Sequence, residues 1–260
     1  MSTDSILTLL QDVAAEIITP RFRALQRHEI ADKGSGSLVT VADHEAEVAI
    51  TEALSAAYPD AVILGEEAHA GDESLMDRYL RADHAFTVDP VDGTRNFVDG
   101  SPDHAVMVAE TIGGETSRAW IWQPEHRAAW VAERGRGTWR NGEPVRRPPV
   151  APGAAPHGAT GIWRLRKKTL NGLGPLRWSW QCCGVDYPRL VEGAVDFIVY
   201  RRTHPWDHVP GTLIVREAGG WAGGVDGMPY TPRTLTPGLV VAADARTYEL
   251  AAREVRTRLS

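Results

Sequence analysis

Asp89-Pro90-Val91-Asp92-Gly93-Thr94 is the stretch of this 260-residue chain from which the rest can be read. It follows a short apolar run, residues 85–88, that reads as a buried strand, so Asp89 and Asp92 stand at the strand's carboxyl end. Pro90 removes one backbone donor and Gly93 frees the chain for a sharp turn. Such a turn aims two carboxylates and the Val91 carbonyl at one point. Hard oxygen ligands of this kind suit Mg²⁺, which favours octahedral oxygen coordination and keeps waters for substrate. A helix opening near Thr94 would leave the N–H groups of Gly93 and Thr94 free to form an anion site beside the metal. Alone, however, Asp, Pro and Gly also populate ordinary surface turns.

The surrounding sequence supplies further acids. Residues 61–64 form a second apolar run that ends in Gly65-Glu66-Glu67, so two strands deliver carboxylates at their ends. Ahead of them, apolar spacing predicts an amphipathic helix over 4–19, with Asp4 as N-cap and Pro20 as stop, and another over 43–58. Between these helices, Lys33-Gly34-Ser35-Gly36-Ser37 is too glycine-rich for regular structure and reads as a mobile loop. Strands are expected at 104–111, 119–122 and 129–133, and Asn141-Gly142 marks a tight hairpin.

Four prolines fall within 148–160, and a domain boundary is placed just before them, dividing the chain into 1–146 and 147–260. The second half alternates a helix at 185–192, a strand at 196–200, a helix at 206–218, a strand at 238–243 and a helix at 246–259. Pro210 is expected in the first turn of the 206–218 helix, which Gly219-Gly220 ends.

Hydrophobic residues make up 43% and charged residues 24%, an ordinary soluble composition. The net charge of −6 offers no basic field for a nucleic-acid backbone. With no 18-residue apolar stretch and no leader pattern, no membrane partner is expected and cytoplasmic residence follows. Cys182 and Cys183 are adjacent and read as free thiols in the core or near the site. The cluster Trp163, Trp178 and Trp180 suggests core and subunit-interface packing ahead of a substrate platform.

Taken in order, Gly65-Glu66-Glu67, the Asp-Pro-x-Asp-Gly-Thr-x-Asn-Phe run at 89–97, the Gly-x-Gly-x-x-x-Asn-Gly hairpin at 135–142 and Trp206-Asp207 opening a helix that closes on Glu217-Ala218-Gly219-Gly220 resemble the inositol monophosphatase family over nearly the whole chain. The resemblance implies a layered α-β-α-β-α sandwich and a homodimer. It implies a Mg²⁺-dependent, Li⁺-sensitive phosphatase of small phosphorylated metabolites, with two or three Mg²⁺ per site. Glu66, Asp89 and the Val91 carbonyl would hold one ion; Asp89, Asp92 and Asp207 would hold a second. A metal-activated water would attack, oriented by Glu66 and by the Thr94 hydroxyl, which Asp43 holds from behind. Lys33 would add positive charge, and Glu67 would support the ligands.

The sequence departs from that pattern around the substrate. Tyr200 stands where animal members of the family carry an acid that contacts a substrate hydroxyl. Gly184-Val185-Asp186 replaces a small run that contacts substrate, and Asp186 reads equally as hydroxyl recognition or as a helix N-terminal acid. Arg201, Arg202, His204 and His208 suit either a second anionic group or a solvated rim; His208 is expected to be no metal ligand. Histidinol phosphate, fructose 1,6-bisphosphate and 3′-phosphonucleotides join inositol phosphate as candidate substrates. A regulatory binding protein of the same fold is the non-enzymatic alternative.

Overall fold

The computed structural model describes residues 1–34 and 38–259, so the 35–37 part of the glycine-rich loop lies outside the described residues. The first helix, α1 (Thr3–Val13), is capped by Ser2, whose hydroxyl accepts the Ser5 N–H. This corrects Asp4 as the cap, because Ser2 already reaches the open amide and Asp4 sits inside the first turn. The helix also does not run regularly to 19. It widens into a π-helical segment, Ala14–Ile18, and tightens into a 3₁₀ turn, Thr19–Arg21, where the missing N–H of Pro20 does no harm.

A ribbon of β1 (Ile30–Asp32) and β2 (Leu38–Thr40) leads into α2 (Val41–Ala57). That helix starts two residues before 43 because Thr40 and Asp43 cap it reciprocally. There follow β3 (Val62–Gly65), α3 (Glu66–Gly71), α4 (Ser74–Arg81), β4 (His84–Asp92), α5 (Thr94–Val98), β5 (Ala105–Ile112), β6 (Glu115–Gln123), β7 (Ala128–Glu133), β8 (Gly137–Arg140) and β9 (Glu143–Val145). The strands β3 to β9 form one sheet in sequence order, parallel between β3 and β4 and antiparallel elsewhere. Asn141 and Gly142, both at positive φ, turn β8 into β9 as the dipeptide predicts.

The remaining elements are β10 (Gly158–Thr160), α6 (Trp163–Arg166), β11 (Leu176–Trp178), α7 (Cys183–Val191), β12 (Phe197–Tyr200), α8 (Pro205–Glu217), β13 (Trp221–Gly224), β14 (Leu239–Ala242) and α9 (Ala245–Leu259). Their five strands form a second sheet ordered β11-β10-β12-β14-β13. Because α8 begins at Pro205, Pro210 falls in the second turn and not the first, and removes the bond to the Trp206 carbonyl.

Period-two burial along the strands builds the layers. Val106, Val108 and Trp120 pack with α1 and α2, while Ala105, Met107, Ala109, Ala119 and Ile121 face α7 and α8. On the second sheet, Ile198 and Val241 face those same helices, and Phe197, Val199 and Val240 face α6 and α9. The result is the expected α-β-α-β-α sandwich, with α7 and α8 as its central layer. Small residues let these layers approach: a Cβ on Gly211 would lie 2.0 Å from the Tyr187 ring, and one on Gly184 2.5 Å from Ala105 Cβ. At its far end α8 holds the Gly135 turn, as Glu217 accepts the Gly135 and Gly137 N–H groups at 2.9 and 3.0 Å.

Of the three tryptophans, Trp180 packs against the central core, whereas Trp163 and Trp178 lie outside it. Trp163 is 53% and Trp178 39% exposed, stacked on each other with ring centroids 6.0 Å apart. Arg166 and Lys167 lie over their rings, so cations, not core, cover them. No helix among the described residues is long and apolar enough to cross a membrane.

Candidate active site

The register of β3 on β4 pairs Gly65 with Val88, so the next residues, Glu66 and Asp89, emerge side by side. After Asp89 the pairing with β5 shifts, and the extra residue turns the strand before Asp92. Gly93 then takes φ 81°, a left-handed conformation, and a Cβ there would lie 3.0 Å from both the Asp103 carbonyl and Cys182 Cβ. Asn96 secures the turn by donating to the carbonyls of Asp103 (2.7 Å) and Trp180 (2.9 Å). Asp207 arrives in the first turn of α8, from the other half of the chain.

Glu66, Asp89 and Asp207 thus each offer an oxygen within 4.8 Å of the others. Asp89 Oδ1 is buried and has no hydrogen-bond partner. Burial, and then the charge of Glu66, hold both Asp89 and Asp207 well above the ordinary carboxylate range. An orphaned buried oxygen among converging carboxylates is what a hard cation would satisfy, so this donor set fits Mg²⁺.

Asp92 is oriented differently. Its Oδ2 accepts from Cys182 Sγ at 2.9 Å and from the Gly184 N–H, tying the end of β4 to the start of α7. Burial raises it to about 6 against these donors. It lies outside the close triplet, although it lines the same cleft as Asp207. The Val91 carbonyl accepts the Thr94 hydroxyl at 3.0 Å, and that hydroxyl also lies 3.1 Å from Asp43 Oδ1. Asp43 itself accepts from the N–H and hydroxyl of Thr40. Burial lifts Asp43 to about 7, opposed by those hydrogen bonds.

Lys33 Nζ lies 3.0 Å from Glu66 and 2.5 Å from Glu67. Burial alone would lower it, but the two glutamates outweigh burial and raise it. One contributor escaped the sequence reading. Glu47 accepts the Glu67 and Ala68 N–H groups at 2.8 and 2.7 Å, and its one visible signal was an acid on the buried face of α2. Cys182, expected as a free thiol in the core or near the site, is free, buried and set against Asp92.

Around the cleft, Asp186 is 1% exposed and accepts the Trp180 N–H at 2.8 Å, and burial raises it to about 8. Val185 is buried in the central core, which turns its side chain away from any substrate. Tyr200 stacks on Tyr187 and meets the His208 ring at a tilt, and its buried hydroxyl lies toward Asp186. His208 is no ligand: its Nε2 meets the Arg202 carbonyl and its Nδ1 the Tyr187 hydroxyl, both at 2.9 Å. A carbonyl only accepts, so Nε2 carries the proton; burial lowers the ring to about 3.

Fold and cluster define a layered α/β protein whose parallel strand ends carry a cation-ready acidic site. The inositol monophosphatase family model matches residues 2–260, and the chain belongs to that family. Nus factor SuhB of Escherichia coli (strain K12) is 28% identical over 258 residues, covering 95% of this chain and 93% of its own. A Thermotoga maritima protein named fructose-1,6-bisphosphatase/inositol-1-monophosphatase is 31% identical over 198 residues, covering 72% of this chain and 71% of its own. The solved structure of a Thermotoga maritima IMPase superposes with a TM-score of 0.83 at 24% identity, covering 99% of this chain and 98% of that one.

Proposed function

We propose that this chain is a Mg²⁺-dependent phosphatase that hydrolyses a small phosphate monoester. The observation that carries the reading is the convergence of Glu66, Asp89 and Asp207 around the partnerless Asp89 Oδ1. Glu66, Asp89, the Val91 carbonyl, Asp92 and Asp207 would hold the ions. Bound there, Mg²⁺ supplies the positive charge that acidifies water and stabilises developing negative charge on the ester oxygens.

The chain's own groups do the positioning. Thr94, with its hydroxyl set between Asp43 and the Val91 carbonyl, orients the attacking water, and Asp43 at about 7 is poised to take up a proton through that hydroxyl. Glu66 serves as the second proton acceptor. Lys33 lies over Glu66 and Glu67 and adds charge where the phosphoryl group sits. The turn at Gly93 leaves room for the phosphoryl oxygens beside Thr94. Asp186 and Tyr200 line the cleft left for the alcohol, while Gly184 packs against Ala105 and Met107 behind it.

Inositol, sugar, histidinol and 3′-phosphonucleotide phosphates all remain candidates, and the Thermotoga relative's name supports the sugar bisphosphate. A cytoplasmic homodimer, with the site between halves 1–146 and 147–260, completes the reading. The E. coli relative's name supports a second role, as a regulatory binding protein. A panel of phosphate esters assayed for phosphate release with Mg²⁺ and with chelator separates these. Mg²⁺-dependent turnover of at least one ester is expected; absence of turnover across the panel would overturn the enzymatic reading.

A further inference from the structure

The cleft leading away from the acidic cluster encloses about 1180 Å³. Pockets for drug-sized ligands span roughly 300–1,000 Å³, so this one exceeds what a phosphorylated polyol needs. Its wall carries Asp92 and Asp207 together with Arg164, Arg201, Arg202 and Arg258. Arg258 is committed to the chain: it pairs with Glu254 at 3.3 Å and donates to the Glu254 and Thr169 carbonyls. Arg164, Arg201 and Arg202 are not. Among the described residues, no carboxylate or hydrogen-bond acceptor engages any of these three guanidinium groups.

Arg202 lines the cleft near enough to Asp207 for its charge to act there, yet forms no ion pair with it. A phosphoryl group held by divalent cations and Lys33 has its charge balanced already. Three further guanidinium groups in the same cleft are surplus to that need. A planar guanidinium fork matches phosphate and carboxylate geometry, two parallel N–H donors to two oxygens. Apart from the candidate metal ligands Asp92 and Asp207, the acid of this wall among the described residues is Asp186, which is buried and bonded to Trp180 and so poorly placed for a neutral hydroxyl. Tyr200 lines the same wall with its ring, its hydroxyl being buried toward Asp186.

We infer that the alcohol half of the substrate carries a second anionic group, a phosphate or a carboxylate, bound by Arg201 and Arg202 with Arg164. The inference rests on the phosphatase reading, because it names the substrate of that same site.

Two matched pairs test it: glucose 1,6-bisphosphate against glucose 1-phosphate, and 3-phosphoglycerate against glycerol 3-phosphate. In Mg²⁺, kcat/KM for at least one doubly anionic member should exceed its partner's by about tenfold or more, the scale of one charge-assisted contact. Whichever pair responds identifies the group as phosphate or carboxylate. R201A/R202A should bring that ratio close to one, mainly through KM, and R201K/R202K should keep part of it. Equal kcat/KM within both pairs, or a preference that survives R201A/R202A, overturns the inference. Calorimetric binding of the same four compounds in Ca²⁺ reads the same ratios without turnover. Failure to release phosphate from any compound would therefore count against the phosphatase reading, while the binding ratios still decide the second anion site.

Discussion

Glu47 Oε2 accepts the Glu67 N–H at 2.8 Å, and its other oxygen accepts the Ala68 N–H at 2.7 Å. One buried carboxylate on α2 therefore holds the first turn of α3, where the unpaired amides of a helix start would otherwise be open. It also fills the space beside Gly65, where a Cβ would lie 2.3 Å from the Glu47 carboxyl carbon. Glu47→Ala should leave two donors unpaired and cost about 1–3 kcal/mol. By loosening Glu66 it should also raise the Mg²⁺ concentration for half-maximal phosphate release several-fold. Urea denaturation and a Mg²⁺ titration check both; an unchanged Mg²⁺ requirement would separate Glu47 from the site.

Asp89 is a buried carboxylate surrounded by like charge, so it destabilises the metal-free fold, and under the proposed function a bound cation would offset that cost. Asp89→Asn should reduce turnover at least ~100-fold. Its melting temperature in chelator should equal or exceed that of the unaltered protein, and the rise on adding Mg²⁺ should largely vanish. A variant that melts well below the parent in chelator would contradict the electrostatic account.

The Thr94 hydroxyl has two acceptors within reach, Asp43 Oδ1 and the Val91 carbonyl. Thr94→Ala removes the proton path while keeping the turn, which Gly93 and Asn96 hold. We expect kcat to fall about 100-fold, within the usual range for acid-base groups, with little change in thermal stability. Thr94→Ser should recover most of the loss; a serine variant as poor as alanine would assign Thr94 to packing.

Asp186 titrates near 8 in the folded chain because it is buried, well above its ordinary value. Between those two values the folded protein holds a proton that the unfolded chain has released. Its contribution to stability is therefore intact at low pH, falls as pH rises, and is lost above about 8. Asp186→Asn has no charge to bury and keeps an acceptor for the Trp180 N–H. In chelator its gain over the parent should be at least ~1 kcal/mol larger at pH 9 than at pH 5, since the parent's penalty grows by ~1.4 kcal/mol for each pH unit between its ordinary and folded values. Denaturation at the two pH values measures this, and an equal gain at both would refute the assignment.

Much of this architecture was legible before any coordinates. Strand runs at 85–88 and 104–111, the Asn141-Gly142 turn and the helix at 246–259 emerge nearly as expected, because period and turn chemistry are local properties. Element ends fared less well: Ser2 displaced Asp4 as a cap, and Pro205 moved the start of α8 so that Pro210 fell in its second turn. Caps depend on which nearby oxygen reaches an amide first, and spacing alone does not report that.

By itself the sequence singled out the candidate residues: the acids at 66, 89, 92 and 207 and the threonine at 94 on strand ends and helix starts, and the lysine at 33 on a loop. Tertiary structure alone decided how they group. The parallel register of β3 on β4 brings Glu66 beside Asp89, and α8 carries Asp207 to them from more than a hundred residues away. The same packing binds Asp92 to Cys182 and Gly184, turns Val185 into the core and leaves Trp163 and Trp178 outside it. It also leaves the guanidinium groups of Arg164, Arg201 and Arg202 lining a cleft with no hydrogen bond or ion pair among the described residues. Local chemistry is written in neighbouring residues, whereas a carboxylate's partner and a ring's exposure are set by contacts between segments far apart in the chain.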